Sequence, residues 1–282
     1  MKEKGKLSIV ATPIGNLGDI TYRAIETLKT ADRILAEDTR NTRKLLTHFG
    51  IQADLQAFHE HNERQKINQV KAWLNAGENL ALVSDAGTPL ISDPGYHLVN
   101  ILSNEGYTLE PVPGVSAIIT ALSVAGLATN RFTFEGFLPV KTAAREKCLN
   151  VNLKEPRTQV YYESSHRIVA LVNSMLSIFG GDRKVVVARE LTKMYEQVFR
   201  GNLAELEEWI VANPNHQRGE FVVMLAGYED ENTDDESVNA SAENILSILL
   251  DELPTKQAAS LVARITGLKK NDLYRRAMAL KA

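Results

Sequence analysis

Several clusters of charged and turn-forming residues in this 282-residue chain follow short apolar runs, and their types suit ligand binding and proton transfer. The richest spans residues 80–95, Leu-Ala-Leu-Val-Ser-Asp-Ala-Gly-Thr-Pro-Leu-Ile-Ser-Asp-Pro-Gly. An apolar run of four, the mark of a buried strand, breaks into two aspartate-containing turns. Its glycines let a ligand approach the backbone and its prolines fix the shape. A helix is expected from Pro94 or Gly95 to residue 105, capped by Ser92 or Asp93. Thr12-Pro13-Ile14-Gly15-Asn16-Leu17-Gly18-Asp19 follows the first apolar run and departs from the Gly-x-Gly-x-x-Gly spacing, which argues against classical dinucleotide binding and leaves a ligand-facing or a structural turn. Glu37-Asp38-Thr39-Arg40 either contacts substrate or caps a helix starting near Asn41. Tyr162-Glu163-Ser164-Ser165-His166-Arg167 and Arg189-Glu190-Leu191-Thr192-Lys193 put charges at strand ends, where they either pair with each other or wall an active site. His59-Glu60-His61-Asn62 is a weak metal-ligand pattern with no further ligand nearby, and a loop-packing or substrate-contacting role suits it better; no metal is expected.

These clusters need elements to carry them. Strands are expected at 7–11, 33–36, 80–83 and 108–112, alternating with helices at 22–30, 41–49, 64–76 and 94–105, a rhythm that builds a largely parallel sheet with helices on both faces. Pro113 and Gly114 mark a boundary, and a small-residue helix follows at 116–126. Beyond it, strands at 132–135, 160–163, 185–188, 197–199 and 221–226, with helices at 168–179 and 203–212, read as a second α/β domain with a mixed sheet. The expected division is 1–113, 114–228, an acidic linker at 229–241 without aromatic residues, and a helical module at 242–282.

Composition narrows the class. Hydrophobic residues make up 44% and charged residues 24%, as in soluble globular proteins. No apolar run approaches the roughly 20 residues of a membrane helix, and the apolar run behind the basic start is too short for a secretory leader. The single cysteine, Cys148, excludes an intrachain disulfide and fits a reducing cytoplasm. The net charge of −3 conceals a partition: residues 229–252 hold nine acidic and no basic side chains, whereas 253–282 hold seven basic and one acidic. That last stretch reads as helix, glycine-containing turn and basic helix, with Ala259, Val262, Ala263 and Ile265 as one apolar face and Leu268, Leu273, Ala277 and Leu280 as the other. A helix-turn-helix carrying Lys269, Lys270, Arg275 and Arg276 favours nucleic-acid contact over simple packing.

Taken in order, residues 10–20, 36–40, 83–95, 111–117, 162–167 and 189–193 resemble the tetrapyrrole methylase-like (class III) S-adenosylmethionine-dependent methyltransferases, in the branch that modifies small-subunit ribosomal RNA. The resemblance implies two α/β domains of tetrapyrrole methylase type with a donor cleft between them, plus the small C-terminal helical module, working as a homodimer in the cytoplasm on 16S rRNA or the 30S subunit. It implies S-adenosyl-L-methionine as methyl donor and the ribose 2′-oxygen of a cytidine near the decoding site as acceptor. It assigns the donor to Asp85, Ala86, Gly87, Thr88, Pro89, Ile91, Ser116 and Ala117, with Pro13 and the 221–226 strand as weaker contacts; turn carbonyls and hydroxyls suit a sulfonium better than carboxylates, which would stabilise the ground state. Proton removal falls to Glu163, Glu190 or Asp38. Lys193, Arg40 and Arg167 would position ribose or phosphate, and Arg189, Lys269, Lys270, Arg275 and Arg276 complete the substrate set. The first loop lacks the Gly-x-Gly-x-Gly-Asp of tetrapyrrole-modifying relatives, which weakens a pigment substrate. The rival readings are a small-molecule tetrapyrrole methylase, which would need no basic tail, and a non-catalytic ribosome-binding factor, which would bind RNA without the donor.

Overall fold

Strands β1 (Lys6–Val10), β2 (Arg33–Ala36), β3 (Asp54–Ala57), β4 (Leu80–Val83) and β5 (Thr108–Val112) form an all-parallel sheet in the order β3-β2-β4-β1-β5. The computed structural model from which this is read describes residues 4–229 and 235–280. Alternation along β4 shows why the sheet is covered twice. Leu80 and Leu82 join one core with Val70 and Leu74 of helix α3 (Glu63–Asn75) and Leu98 and Leu102 of α4 (Tyr96–Asn104). Ala81 and Val83 join the other, with Ala24 and Leu28 of α1 (Tyr22–Thr30) and Leu46 of α2 (Thr39–His48).

After α5 (Ala117–Ala125), strands β6 (Phe132–Phe137), β7 (Thr158–Ser164), β8 (Lys184–Arg189), β9 (Gln197–Asn202) and β10 (Glu220–Leu225) form a mixed sheet ordered β6-β7-β10-β8-β9. Only β6 and β7 pair in parallel. Val185, Val187, Phe221 and Val223 point to the face covered by α7 (Ile168–Phe179) and α8 (Leu203–Ala212), and Cys148 of α6 (Thr142–Val151) packs there, half-buried. Val186, Ala188, Val222 and Met224 face α5, and Ile14 from the loop after β1 packs into that same cluster. The two sheets belong to one compact unit ending at Gly227.

A second unit starts at Tyr228 and consists of α9 (Asp235–Glu252), α10 (Thr255–Thr266) and α11 (Lys270–Leu280). Ala242, Leu246 and Leu250 of α9 meet Ala258, Ala259 and Val262 of α10 and Leu273 and Ala277 of α11. Gly267 ends α10 at φ 76°, a left-handed backbone that glycine adopts without a side-chain penalty.

Four sequence expectations need correction. Neither Ser92 nor Asp93 caps α4, whose N-cap is Gly95 at φ 122°. Helix α2 begins two residues early, at Thr39, because Asp38 accepts the Arg40 amide. The acidic stretch 229–241 is not all linker: residues 230–234 lie outside the described residues, but α9 already starts at Asp235. Its apolar face makes the terminal module three helices rather than two, and leaves Ile265 and Leu280 exposed. Strand β3 and helix α6 also escaped the reading, because the edge strand Asp-Leu-Gln-Ala is half polar and α6 carries only a weak apolar stripe.

Candidate active site

The carboxyl ends of β1, β4 and β5 form one edge, the usual ligand-binding edge of a parallel sheet. Their loops are tied together. Thr12 and Gly87 exchange backbone hydrogen bonds of 2.9 and 3.0 Å, and the Thr88 hydroxyl donates to the Val115 carbonyl at 2.9 Å. Opposite them lies one edge of the second sheet. Because β10 runs antiparallel to β7 and β8, its first residues, Glu220 and Phe221, pair with Ser164 and Arg189 at those strands' ends. The two edges enclose a cleft with two adjoining lobes of about 340 and 310 Å3. That is the scale of small-molecule sites.

The larger lobe receives Asp85, Ala86, Gly87, Thr88, Ile91, Ser116 and Ala117 from the first sheet's loops. Glu163, Phe221 and Val222 wall it from the second sheet. Pro89, assigned to the same ligand, is buried behind this wall and does not line it. Pro13 lines the smaller lobe with Asn41, Lys44 and Lys193. The charged lining of the larger lobe is wholly acidic: Glu37, Asp85, Asp93, Glu163 and Glu220. This departs from the expectation that carbonyls and hydroxyls rather than carboxylates face the ligand: the lining holds five carboxyl groups as well, which bind a cation at the expense of stabilising its ground state. In the sequence Glu37 stood in a cluster that either contacts substrate or caps a helix, and Asp93 in the ligand loop as a candidate cap; neither was assigned to the donor. Glu37 nevertheless follows the last residue of β2, and so had to lie at the carboxyl edge. Glu220 opens β10, where no turn motif marks it.

Burial sets the electrostatics. It pushes the Asp93 carboxyl up to about 6, aided by the charges of Glu37 and Asp85 and opposed by the Ser84 hydroxyl. Burial also raises Glu37, despite the hydrogen bond it accepts from the Asp85 amide. Glu163 is 2% exposed and is likewise raised by burial, against the Ser164 amide that donates to it at 2.9 Å and the Arg167 guanidinium 3.1 Å away. The Tyr162 phenol on the lobe wall is pushed up to about 12 by burial and stays protonated at neutral pH.

Other expected site residues stand apart from the larger lobe. Asp38 is forked onto Arg40, whose guanidinium and amide hold the carboxyl down at about 2. For Glu190, burial favours the neutral acid, but Lys193 Nζ at 2.9 Å and the Glu220 amide at 2.9 Å outweigh it and keep the carboxyl below its ordinary value. Lys193 also donates to Glu220 at 2.8 Å, and the two carboxylates overcome burial to raise its ammonium. Arg189 needs correction as a substrate contact. It is 6% exposed and donates to the carbonyls of Arg218 and Tyr195 and to the Gln197 side chain, so it clamps the loops around β8 and β9. Isolated burial of its charge would be costly, and those acceptors take three of its five N–H donors. In the separate terminal unit, Arg275 pairs with Asp272 and Arg276 with Glu243, while Lys269 and Lys270 sit at the start of α11.

Non-glycine residues with left-handed backbone occur, among the described residues, at Leu90, Ser92, Glu190 and Thr192. All four lie in the two site loops, after β4 and after β8. Such conformations cost about 1–3 kcal/mol each and persist where surrounding contacts fix them. Gly219, at φ 101°, leaves room for the Glu190 carboxyl, which a β-carbon would approach to 2.5 Å. At the histidine pair, the His59 amide donates to the Asn62 side chain, and the His59 and His61 rings lie edge to face at 5.9 Å.

Comparison with known proteins agrees with this geometry. Residues 6–207 match the family model of Tetrapyrrole (Corrin/Porphyrin) Methylases, and residues 236–281 match that of the RsmI C-terminal HTH domain. The chain is 49% identical to a Ribosomal RNA small subunit methyltransferase I of Pseudomonas aeruginosa, over 97% of each chain. It is 51% identical to the protein of the same name from Vibrio cholerae, over 95% of this chain and 93% of the relative. A solved uroporphyrin-III C-methyl transferase from Thermus thermophilus, complexed with S-adenyl homocysteine, is 19% identical with a TM-score of 0.56, covering 79% of this chain and 97% of that one, and shares the fold.

Proposed function

The chain belongs to the tetrapyrrole methylase family and, within it, to the small-subunit ribosomal RNA methyltransferases, and on that premise we propose that it methylates the ribose 2′-oxygen of a cytidine of 16S rRNA near the decoding site. S-adenosyl-L-methionine is its methyl donor. The observation that carries the assignment of lobes is charge. Every charged group lining the larger lobe is a carboxylate, which suits a cationic sulfonium, whereas the adjoining lobe sets Lys44 and Lys193 beside Asp85 and Glu220, and those two cations suit a phosphate-bearing acceptor.

When bound, the donor supplies a methyl group already activated by its sulfonium. The chain's task is to align the weak nucleophile and take its proton. Among the three candidate bases, Glu163 suits this best. It lines the donor lobe, and burial moves its carboxyl toward neutrality, where a base is most effective. Asp38, near 2 and locked to Arg40, is a poor proton acceptor. Glu190 holds Lys193 instead, and Lys193 in turn presents an ammonium to the smaller lobe. Glu163 would accept the proton of the 2′-hydroxyl, whose oxygen takes the methyl group while the breaking sulfur–methyl bond leaves its electron pair on the donor's sulfur, and Arg167 steadies that carboxylate. The carboxylates of this lobe would hold a cationic donor more tightly than its neutral product, which favours product release.

The basic terminal module, with Lys269, Lys270, Arg275 and Arg276, is assigned to RNA contact. A homodimer acting in the cytoplasm completes the proposal, supported by Ile119 and Val124 on α5, which stay 57% and 42% exposed on a helix that is apolar on most sides. Among the described residues no helix is long and apolar enough to cross a membrane.

The test is transfer of tritiated methyl from the donor to 30S subunits, free 16S rRNA and tetrapyrrole precursors, with nuclease mapping of the labelled nucleotide. Label on a cytidine ribose of the subunit is expected. Label on a pigment, or donor-independent RNA binding without transfer, would overturn the proposal.

A further inference from the structure

Most cations around the cleft are already committed. Lys193 is held by Glu190 and Glu220, Arg167 by Glu163, Arg189 by loop carbonyls, and Arg40 by Asp38. Helix α2 differs. Its buried face is Thr42 and Leu46, and its opposite side carries Arg40, Arg43, Lys44, Thr47 and His48 around a shallow groove. These positions recur every three or four residues, so they form one stripe along the helix. Arg43 and Lys44 are exposed and have no hydrogen-bond or ion-pair partner among the described residues. Lys44 belongs to both surfaces: it lines the groove and the smaller lobe of the cleft. The stripe therefore begins at the acceptor side of the cleft and runs outward from it.

We propose that Arg43 and Lys44 on α2 form a phosphate track that holds the RNA strand leading into the acceptor lobe. The proposal rests on the RNA methyltransferase reading above and assigns it a binding surface distinct from the basic terminal module. An unpaired guanidinium and ammonium beside the reacting nucleotide would grip backbone phosphates of any sequence, and so act on binding rather than on chemistry.

The test uses the full chain and subunits that lack the modification. The double variant Arg43→Gln/Lys44→Gln should raise KM for subunits roughly tenfold, with kcat at saturation and donor affinity near wild type. Without donor, the slope of log K against log salt for a single-stranded rRNA fragment should become shallower by about 1.4, at about 0.7 per phosphate lost. Arg64→Gln/Lys66→Gln on α3, which lines neither lobe, removes the same charge and should leave both readouts unchanged. Arg43→Lys should keep most of the affinity. An active wild type whose double variant has unchanged KM and salt slope, or a control pair that weakens binding equally, overturns the proposal and leaves the methyltransferase reading intact. A wild type that transfers no methyl group to subunits overturns that reading, and this proposal with it.

Discussion

Gly15 lies so close to Lys193 that a β-carbon there would overlap Lys193 Cγ and stand 3.0 Å from the Thr192 hydroxyl. The loop after β1 thereby presses on the loop after β8, and the two sheets meet through a residue with no side chain. Gly15→Ala should push Lys193 off Glu190 and Glu220 and destabilise the fold by about 1–3 kcal/mol, as overpacking does. A lower melting temperature with a raised KM for subunits is the expected result. A variant with wild-type melting and kinetics would show that the loops yield freely.

Glu163→Gln should abolish most single-turnover methylation while leaving donor binding near wild type. The sign of its pH dependence follows from burial: Glu163 must be ionised to accept a proton, and its carboxyl is raised above the ordinary value. Activity should therefore rise with pH through that raised value and flatten above it. The same profile in Glu190→Gln and Asp38→Asn, with only Glu163→Gln losing it, would assign the base. Undiminished turnover in Glu163→Gln would remove it.

Burial pushes Asp93 up to about 6 in a lobe of like charge, the one proposed to hold the donor. Its folded value lies above the unfolded 3.8, so the folded state binds the extra proton between about pH 4 and 6, and stability falls as pH rises through that window. Asp93→Asn should raise the melting temperature above pH 6 and match wild type below pH 4. Donor affinity should behave oppositely: in the wild type it should increase as Asp93 ionises near pH 6, and in the variant that step should vanish. Calorimetric titration with donor at pH 5 and pH 7.5 measures both proteins.

Arg189→Ala frees the carbonyls of Arg218 and Tyr195 and the Gln197 side chain from the buried end of β8. Hydrogen bonds to a charged group contribute about 1.5–3 kcal/mol, less where water can replace the donor as at these exposed loops, so the variant should unfold at lower denaturant. Where it remains folded, its subunit KM should stay close to wild type. A large rise in KM without loss of stability would restore Arg189 as a substrate contact.

What the sequence determined by itself was local. Apolar runs and turn residues placed β1, β2, β4 and the helices α1, α7 and α8 within a residue or two, because their periodicity and caps are written in neighbouring residues. The turns that line the cleft were legible for the same reason: glycine, proline and aspartate behind a buried strand dictate a shaped loop at a sheet edge. Tertiary structure decided which charges share a space. Glu37, Asp93 and Glu220 come from three elements up to 183 residues apart, and only the facing of two sheet edges makes them one acidic lobe. It also decided what surrounds Arg189 and Asp38, because a charged residue at a strand end reads alike in sequence whether it clamps a loop, caps a helix or meets a substrate. Burial and partners separate those roles, and both are properties of the folded chain.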